Sequence, residues 1–151
     1  MALNPEFVGR VYPGAAPYEV SRVKIAEFAE AIGDLNPVYR DAEAARAAGF
    51  KDVIAPPTFA IVISMANTRD VHDDPELGLN YAMVVHGEQR FEYSRPITAG
   101  DVLTATSTIT AIRAVRSLNM LTTSTEITTA DGEHVCTAVG VIVERGEGET
   151  P

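Results

Sequence analysis

Residues 32–59 read IGDLNPVYRDAEAARAAGFKDVIAPPTF and combine a helix end, a polar turn and the start of another helix. Glycine is favoured just beyond a helix, so Gly33 is predicted to end the first helix. The turn that follows carries Asp34, Asn36 and Tyr39, and a short alanine-rich helix comes after it. That short helix has acidic residues early and an arginine late, the order that the helix dipole favours.

The segment after the proline pair is predicted to form the long central helix, over residues 58–69. Proline in the first turn and threonine near the cap are typical helix-start signals. The sequence TFAIVISMANTR is apolar on almost every side through Met65, which is typical of a buried helix. Its β-branched residues would also suit a strand, because periodicity alone does not separate the two. The proline pair and the family resemblance described below favour the helix.

Residues 69–80 are polar and contain proline and glycine, which predicts a loop. His72 is expected there as a solvated residue. A metal site formed by His72, Asp73 and Asp74 is the weaker alternative, since charge clusters usually lie on the surface.

The helix that Gly33 ends is expected to start after Ser21, whose hydroxyl can accept a hydrogen bond from a free backbone N–H. Four apolar residues follow at positions i, i+3, i+4 and i+7 and should form one buried face: Ile25, Phe28, Ala29 and Ile32. Residues 1–17 contain several prolines and glycines and are interpreted as an arm that crosses the body, with residues 8–12 extended. Residues 18–20 are a candidate short strand.

The rest of the chain is predicted to be antiparallel strand. Four segments have strand length: 83–93, 102–112, 118–129 and 134–145. A turn is expected at 113–117, and Asp131-Gly132 is a strong hairpin signal. In the second segment Leu103, Ala105 and Ile109 share one face while threonines share the other, so one side of the sheet should be buried.

Length and composition indicate one globular domain over residues 1–151, with residues 146–151 as a frayed tail. The formal charge of -9 argues against nucleic-acid binding, because phosphate recognition needs a basic surface. No apolar run is long enough to span a bilayer and no secretion signal is visible, so a cytoplasmic location without membrane contact is expected. Cys136 is the sole cysteine and is expected to be a buried structural thiol.

The segment 32–59 resembles the MaoC-like hydratase/dehydratase family of the hot-dog fold. The family signature reads roughly G-D-x-N-P-x-H-x-D, then A-x-x-x-G-F, then I-A-H-G before the central helix. The matching positions are Gly33, Asp34, Asn36, Pro37, Asp41, Ala45, Gly49, Phe50, Ile54 and Ala55. The stretch 85–101, VHGEQRFEYSRPITAGD, is similar to a second part of the family. The resemblance covers nearly the whole chain and implies an α+β hot-dog domain.

The departures from this signature fall on the catalytic positions. Tyr39 stands where the family has its catalytic histidine, and Pro56-Pro57 replaces the His-Gly pair. This pattern resembles the substrate-binding subunits of heterodimeric (3R)-hydroxyacyl-ACP dehydratases, which have incomplete active sites.

The resemblance implies roles for particular residues. Asp34 and Tyr39 would form a degenerate catalytic pair, although the favoured interpretation of Asp34 is a turn or cap residue in a silent site. Asn36, Pro57, Thr58 and Phe59 would bind substrate. No cofactor and no metal is implied.

Pro57 has no N–H with which to polarise a thioester carbonyl, unless the loop directs the Thr58 N–H there instead. Tyr39 is mostly protonated at neutral pH and is a poor general base. Four arginines could form a basic rim for a thioester's phosphopantetheine arm, or simply a solvated strand edge: Arg90, Arg95, Arg113 and Arg116. His86 is expected to be scaffold, and His134 is expected to be exposed.

The resemblance therefore implies a subunit that acts on (3R)-hydroxyacyl or trans-2-enoyl thioesters of ACP or CoA in fatty-acid metabolism, with little activity alone. It would form a homodimer, or a heterodimer with a catalytic hot-dog chain, because hot-dog domains commonly pair through their sheets. The alternatives are a stand-alone (R)-specific hydratase that uses Asp34 and Tyr39, a non-catalytic acyl-thioester binding protein and, more weakly, a hot-dog thioesterase.

Overall fold

A six-stranded antiparallel sheet packs against one central helix, which confirms the predicted α+β architecture. The computed structural model describes residues 3–14 and 16–146. The strands are β1 Val11–Pro13, β2 Tyr18–Glu19, β3 Val84–Tyr93, β4 Val102–Val115, β5 Leu118–Thr129 and β6 His134–Arg145. Their order in the sheet is β1-β4-β5-β6-β3, and β2 pairs with β4 beside β1, so β3 forms one edge.

Three α-helices and three short 3-10 turns make up the helical part of the described chain. The helices are α1 Arg22–Ala31, α2 Ala42–Ala47 and α3 Ala60–His72, and the turns are Pro5–Phe7, Pro37–Tyr39 and Tyr81–Met83. The Ser21 hydroxyl accepts from the Lys24 N–H at 3.1 Å, which confirms the predicted cap of α1. Asp41 caps α2 in the same way by accepting from the Glu43 and Ala44 N–H groups.

The central helix α3 is confirmed, but its bounds differ from the predicted 58–69. It starts at Ala60 and continues through His72, so the loop predicted for 69–80 was wrong over its first turn. Val71 is fully buried, two turns after the buried Ile63 on the same face, and this burial extends the helix. His72 is half-buried against the Tyr81 ring, so its expected solvated position was also wrong.

Two further expectations about apolar faces were wrong. Ile32 is 49% exposed beyond the end of α1, whereas Ile25 and Ala29 are fully buried as predicted. Met65 is 54% exposed, so α3 is not buried on all sides in the single chain. One side of the central helix therefore faces outward.

The β4–β5 connection is tighter than the predicted turn 113–117. Strand β4 continues to Val115, and Arg116 takes the left-handed conformation with a φ of 56° in the turn. The predicted alternation in β4 is confirmed, since Leu103, Ala105 and Ile109 are buried while its threonines are more exposed.

The N-terminal arm is part of the sheet and of the core. Leu3 and Phe7 are buried in the cluster that also contains Val71, and Val11–Pro13 pairs with β4, slightly later than the extended segment predicted at 8–12. The predicted tail 146–151 lies, apart from residue 146, outside the described residues. Within the part of the chain that is described, no helix is both long and apolar enough to cross a membrane.

A buried polar chain fixes α3 on the sheet. Asn67 Nδ2 donates to Ser107 Oγ at 2.7 Å, and that hydroxyl bonds with Thr125 Oγ1 at 2.7 Å. Asn67 Nδ2 also reaches the Tyr12 carbonyl at 3.3 Å. Helix α3, the edge strand β1 and the central strands β4 and β5 are thereby joined at one register.

Candidate active site and the groove beside it

A pocket of about 370 Å³ lies where the motif loop meets the end of β3. We call it the motif pocket, and its lining includes Tyr39, Ile54, Pro57, Tyr93, Arg95 and Pro96. Its walls come from three separated segments of the chain, held by the Ile54–Thr98 bridge and by the Ala55 N–H bond of 2.7 Å to the Ile97 carbonyl. Two sequence-predicted site residues, Tyr39 and Pro57, therefore share one cavity.

Tyr39 ends the 3-10 turn that the Asn-Pro pair begins. The Asn36 side chain accepts from the Val38 N–H at 3.1 Å and caps this turn, while Asp34 accepts from the Asn36 N–H at 3.2 Å. Tyr39 is only 8% exposed, and burial followed by the nearby Asp34 carboxylate raises the pKa of its phenol. Asp34 therefore acts on Tyr39 through its charge, without a hydrogen bond between the two side chains, and Tyr39 is protonated at neutral pH.

The three other predicted substrate-binding residues lie in different surroundings. Pro57 is exposed at the pocket and Thr58 is exposed next to it. Phe59 is fully buried and packs edge-to-face on Phe28, with ring centroids 5.3 Å apart. Its placement is that of a core residue at the base of α3.

Tyr93 is a site residue that the sequence analysis did not identify. Its hydroxyl donates to the Pro57 carbonyl oxygen at 2.7 Å, just before the start of α3. Burial is the main cause that raises the pKa of this phenol far above its usual value. The sequence signal for Tyr93 was its position two residues after Phe91, which puts both rings on the same face of the strand just before the Arg95-Pro96 corner.

The Tyr93 ring also shields the one thiol of the chain. Cys136 is fully buried next to Tyr93, and burial raises the pKa of its thiol to about 11. A buried, protonated thiol is a poor nucleophile, which agrees with the structural role predicted for Cys136.

Arg95 is held in place by acidic partners and does not form a free basic rim. Its guanidinium donates to both oxygens of the buried Asp101, at 2.8 and 3.1 Å, and it pairs with Glu133 as well. Arg90 pairs with Glu92 at 3.0 Å. The His134 ring bonds to Ser94 and Thr137 and is half-buried, so the expectation that it is exposed was wrong.

A second cavity of about 450 Å³ runs beside the outward side of α3, and we call it the α3 groove. Ser64, Met65, Arg69 and His72 line it from the helix. From the sheet side the lining includes His86 and Gln89 of β3, Thr123 and Thr125 of β5, and Ala138 and Ile142 of β6. In the described residues no three His, Cys, Asp or Glu side chains come together as metal ligands, His72, Asp73 and Asp74 included.

Comparison with known proteins places this geometry in a family. The model of the FAS1-like, dehydratase domain region family matches residues 6–138. A UPF0336 protein of Thermobifida fusca is 54% identical over 147 residues, which is 97% of each chain.

Two solved structures are similar over most of this chain. A MaoC-like dehydratase superposes with a TM-score of 0.86 at 34% identity, over 93% of this chain and 43% of that chain. The present chain thus spans less than half of that protein's length. The truncated HadBC (3R-hydroxyacyl-ACP dehydratase) complex from Mycobacterium tuberculosis gives a TM-score of 0.82 at 26% identity, over 91% of this chain and 96% of that chain. The chain therefore belongs to the family of FAS1-like dehydratase domain regions and has the MaoC-like hot-dog fold.

Proposed function

We propose that this chain is the acyl-binding subunit of a dehydratase or hydratase that acts on (3R)-hydroxyacyl and trans-2-enoyl thioesters of ACP or CoA. In this proposal it has little or no activity alone. A sister hot-dog chain supplies the intact Asp–His pair. The MaoC-like dehydratase and the HadBC complex support the reaction class by similarity.

The hydrogen bond from Tyr93 to Pro57 is the observation that carries the proposal. Catalysis on a thioester needs a donor aimed at the carbonyl oxygen, where negative charge develops, and one such donor is typically worth ~10²–10³ in rate. Pro57 has no N–H, and the Tyr93 hydroxyl gives its proton to the Pro57 carbonyl oxygen. Neither group is therefore a free donor for a substrate carbonyl.

The acid–base group is weakened at the same pocket. A positioned acid–base group typically contributes ~10²–10⁴ in rate and works best with a pKa near the operating pH. The pKa of the Tyr39 phenol is raised from its ordinary value, so the phenolate that could act as a base is rare. Tyr39 can still donate a hydrogen bond and orient a ligand.

The free sheet edge and the outward side of α3 support the proposal that a partner chain binds here. Strand β3 pairs only with β6 in the described sheet, and its other edge is free. Met65 and Val85, 54% and 44% exposed, add apolar surface beside that edge. A free strand edge invites pairing with another chain. The HadBC structure is a complex by name, which supports a heterodimer here.

A stand-alone hydratase is the second candidate, and the closeness of Asp34 to Tyr39 favours it. In that case an Asp–Tyr pair would position the water. A non-catalytic acyl-thioester binding protein is the third candidate and would use the same cavities without a catalytic partner.

The proposal is tested by measuring dehydration of (3R)-hydroxybutyryl-CoA by a sister hot-dog chain with an intact Asp–His motif, with and without the present chain. We expect the mixture to exceed the sum of the separate rates and the two chains to co-elute on size exclusion. A mixture whose rate equals that sum, with no co-elution, would contradict the subunit role. The matched control is the same mixture with an Asp34→Ala variant of this chain, which should retain the stimulation.

A further inference from the structure

The α3 groove and the motif pocket lie beside the same helix and the same strand, with no lining residue in common. The motif pocket lies at the start of α3 and the end of β3, next to Pro57 and Tyr93. The groove extends from Ser64 to Asp73 on the helix side and from Gln89 back to Val84 on β3. At ~1.5 Å per helical residue, this stretch of α3 is about 13 Å long. An acyl chain whose thioester lies in the motif pocket would extend along the groove.

The far end of this groove is rich in hydrogen-bond donors. Arg69, His72 and His86 line it, with Gln89 nearer the motif pocket. Arg69 and His86 are exposed in the single chain, and their side chains make no hydrogen bond or ion pair with the described residues. The His72 ring packs on Tyr81. Asp73 is the acidic residue in the lining. A purely hydrocarbon tail would leave these donors without partners.

We infer that the preferred acyl ligand carries an oxygen at its distal end, such as a hydroxyl, keto or carboxylate group, which accepts from Arg69 and the neighbouring imidazoles. This inference rests on the proposed function, because it places the thioester in the motif pocket. The near part of the groove, lined by Met65, Ala138 and Ile142, suits the aliphatic part of the same ligand.

Removal of water from the groove should strengthen the preference for a ligand with a distal oxygen. A partner chain along β3 would cover the groove and remove water from Arg69 and His86. A buried guanidinium without a partner is costly, whereas its hydrogen bond to an acceptor is among the stronger ones in proteins. In an apolar groove a ligand with a purely hydrocarbon tail would bind more tightly than one with a distal hydroxyl, because burial of an unpaired hydroxyl is unfavourable.

The test compares binding of dodecanoyl-CoA and ω-hydroxydodecanoyl-CoA to the full chain by isothermal titration calorimetry. We expect the ω-hydroxy ligand to bind about tenfold more tightly. Arg69→Met should remove that advantage, so that the two ligands bind about equally. Arg113→Met is the matched control, because Arg113 is exposed on β4 and lines neither cavity.

Each other outcome has a definite meaning. Tighter binding of dodecanoyl-CoA, or an ω-hydroxy advantage that survives Arg69→Met, overturns the inference and leaves the subunit role standing. If a partner's acidic residue is the true occupant, addition of the partner will abolish the ω-hydroxy advantage, and the inference is again overturned. Absence of binding by both thioesters overturns the inference together with the acyl-binding role.

Discussion

The Tyr93 hydroxyl donates a hydrogen bond of 2.7 Å to the Pro57 carbonyl oxygen. One phenol therefore joins the end of β3 to the loop that starts α3. Its proton is held by a backbone carbonyl and is not offered to a thioester carbonyl. The same contact stabilises the fold and leaves the motif pocket with one hydrogen-bond donor fewer for a substrate.

Removal of this hydroxyl should destabilise the protein. Tyr93→Phe keeps the ring next to Cys136 but leaves the Pro57 carbonyl without the Tyr93 donor. We expect the free energy of unfolding to fall by about 1–2 kcal/mol, measured by urea unfolding. Tyr81→Phe is the control, because Tyr81 is 57% exposed and has no side-chain hydrogen bond among the described residues. Equal effects of the two substitutions would contradict the structural role of the Tyr93 bond.

The buried chain from Asn67 to Thr125 is expected to set the position of α3. Asn67→Ala should lower the free energy of unfolding by about 1–3 kcal/mol, because it removes a buried donor and leaves polar groups unpaired. A double-mutant cycle with Ser107→Ala isolates the direct bond, and we expect a coupling energy of about 1–2 kcal/mol. Additive effects of the two single substitutions would show that the 2.7 Å contact contributes nothing specific.

The half-buried His72 should make stability depend on pH. Burial lowers its pKa, although the nearby Asp73 opposes the shift. The unfolded chain then binds more protons than the folded one, so stability is greatest above the unfolded pKa of about 6.5 and declines as the pH falls below it. His72→Phe keeps the ring against Tyr81 but does not titrate. Denaturant unfolding of both proteins across this range should show a smaller decline for the variant, and equal declines would contradict the assignment.

The outward side of α3 is expected to be covered by a partner. Met65→Glu should weaken association, measured by sedimentation velocity, because it puts a carboxylate into an apolar contact. Stability of the single chain should change little, since Met65 is 54% exposed. Val23→Glu is the matched control, an exposed apolar residue of α1 that is 68% exposed. A stable monomer at micromolar concentration, for the parent protein mixed with its partner, would refute this placement.

Local signals predicted the elements well. Ser21 and Asp41 cap their helices through bonds to residues two or three positions away, and such contacts can be read from sequence. The end of α3 was missed because Asp70 and His72 look like loop residues. Only burial of Val71 against the N-terminal arm explains the additional turn.

Tyr39 and Pro57 share a cavity, and their roles in catalysis and substrate binding stay predictions. The contact of Tyr93 with Pro57 could not be predicted from sequence, because the two residues lie 36 positions apart and the contact depends on the sheet register. The groove donors come from α3 and β3, and their convergence likewise depends on tertiary packing. Sequence patterns identify which residues face inward but not which of them meet.

The most direct test of the central claim is the hydration rate of crotonyl-CoA by this chain alone. We predict a rate near background for the parent protein, unchanged by Asp34→Ala and Tyr39→Phe. The variant with Tyr39→His, Pro56→His and Pro57→Gly should gain measurable activity, because it regains a base and a backbone N–H near the carbonyl. A parent rate typical of enzymes, on the order of 1–10³ per second, that is abolished by Asp34→Ala and by Tyr39→Phe, would contradict the account and establish a working Asp–Tyr hydratase.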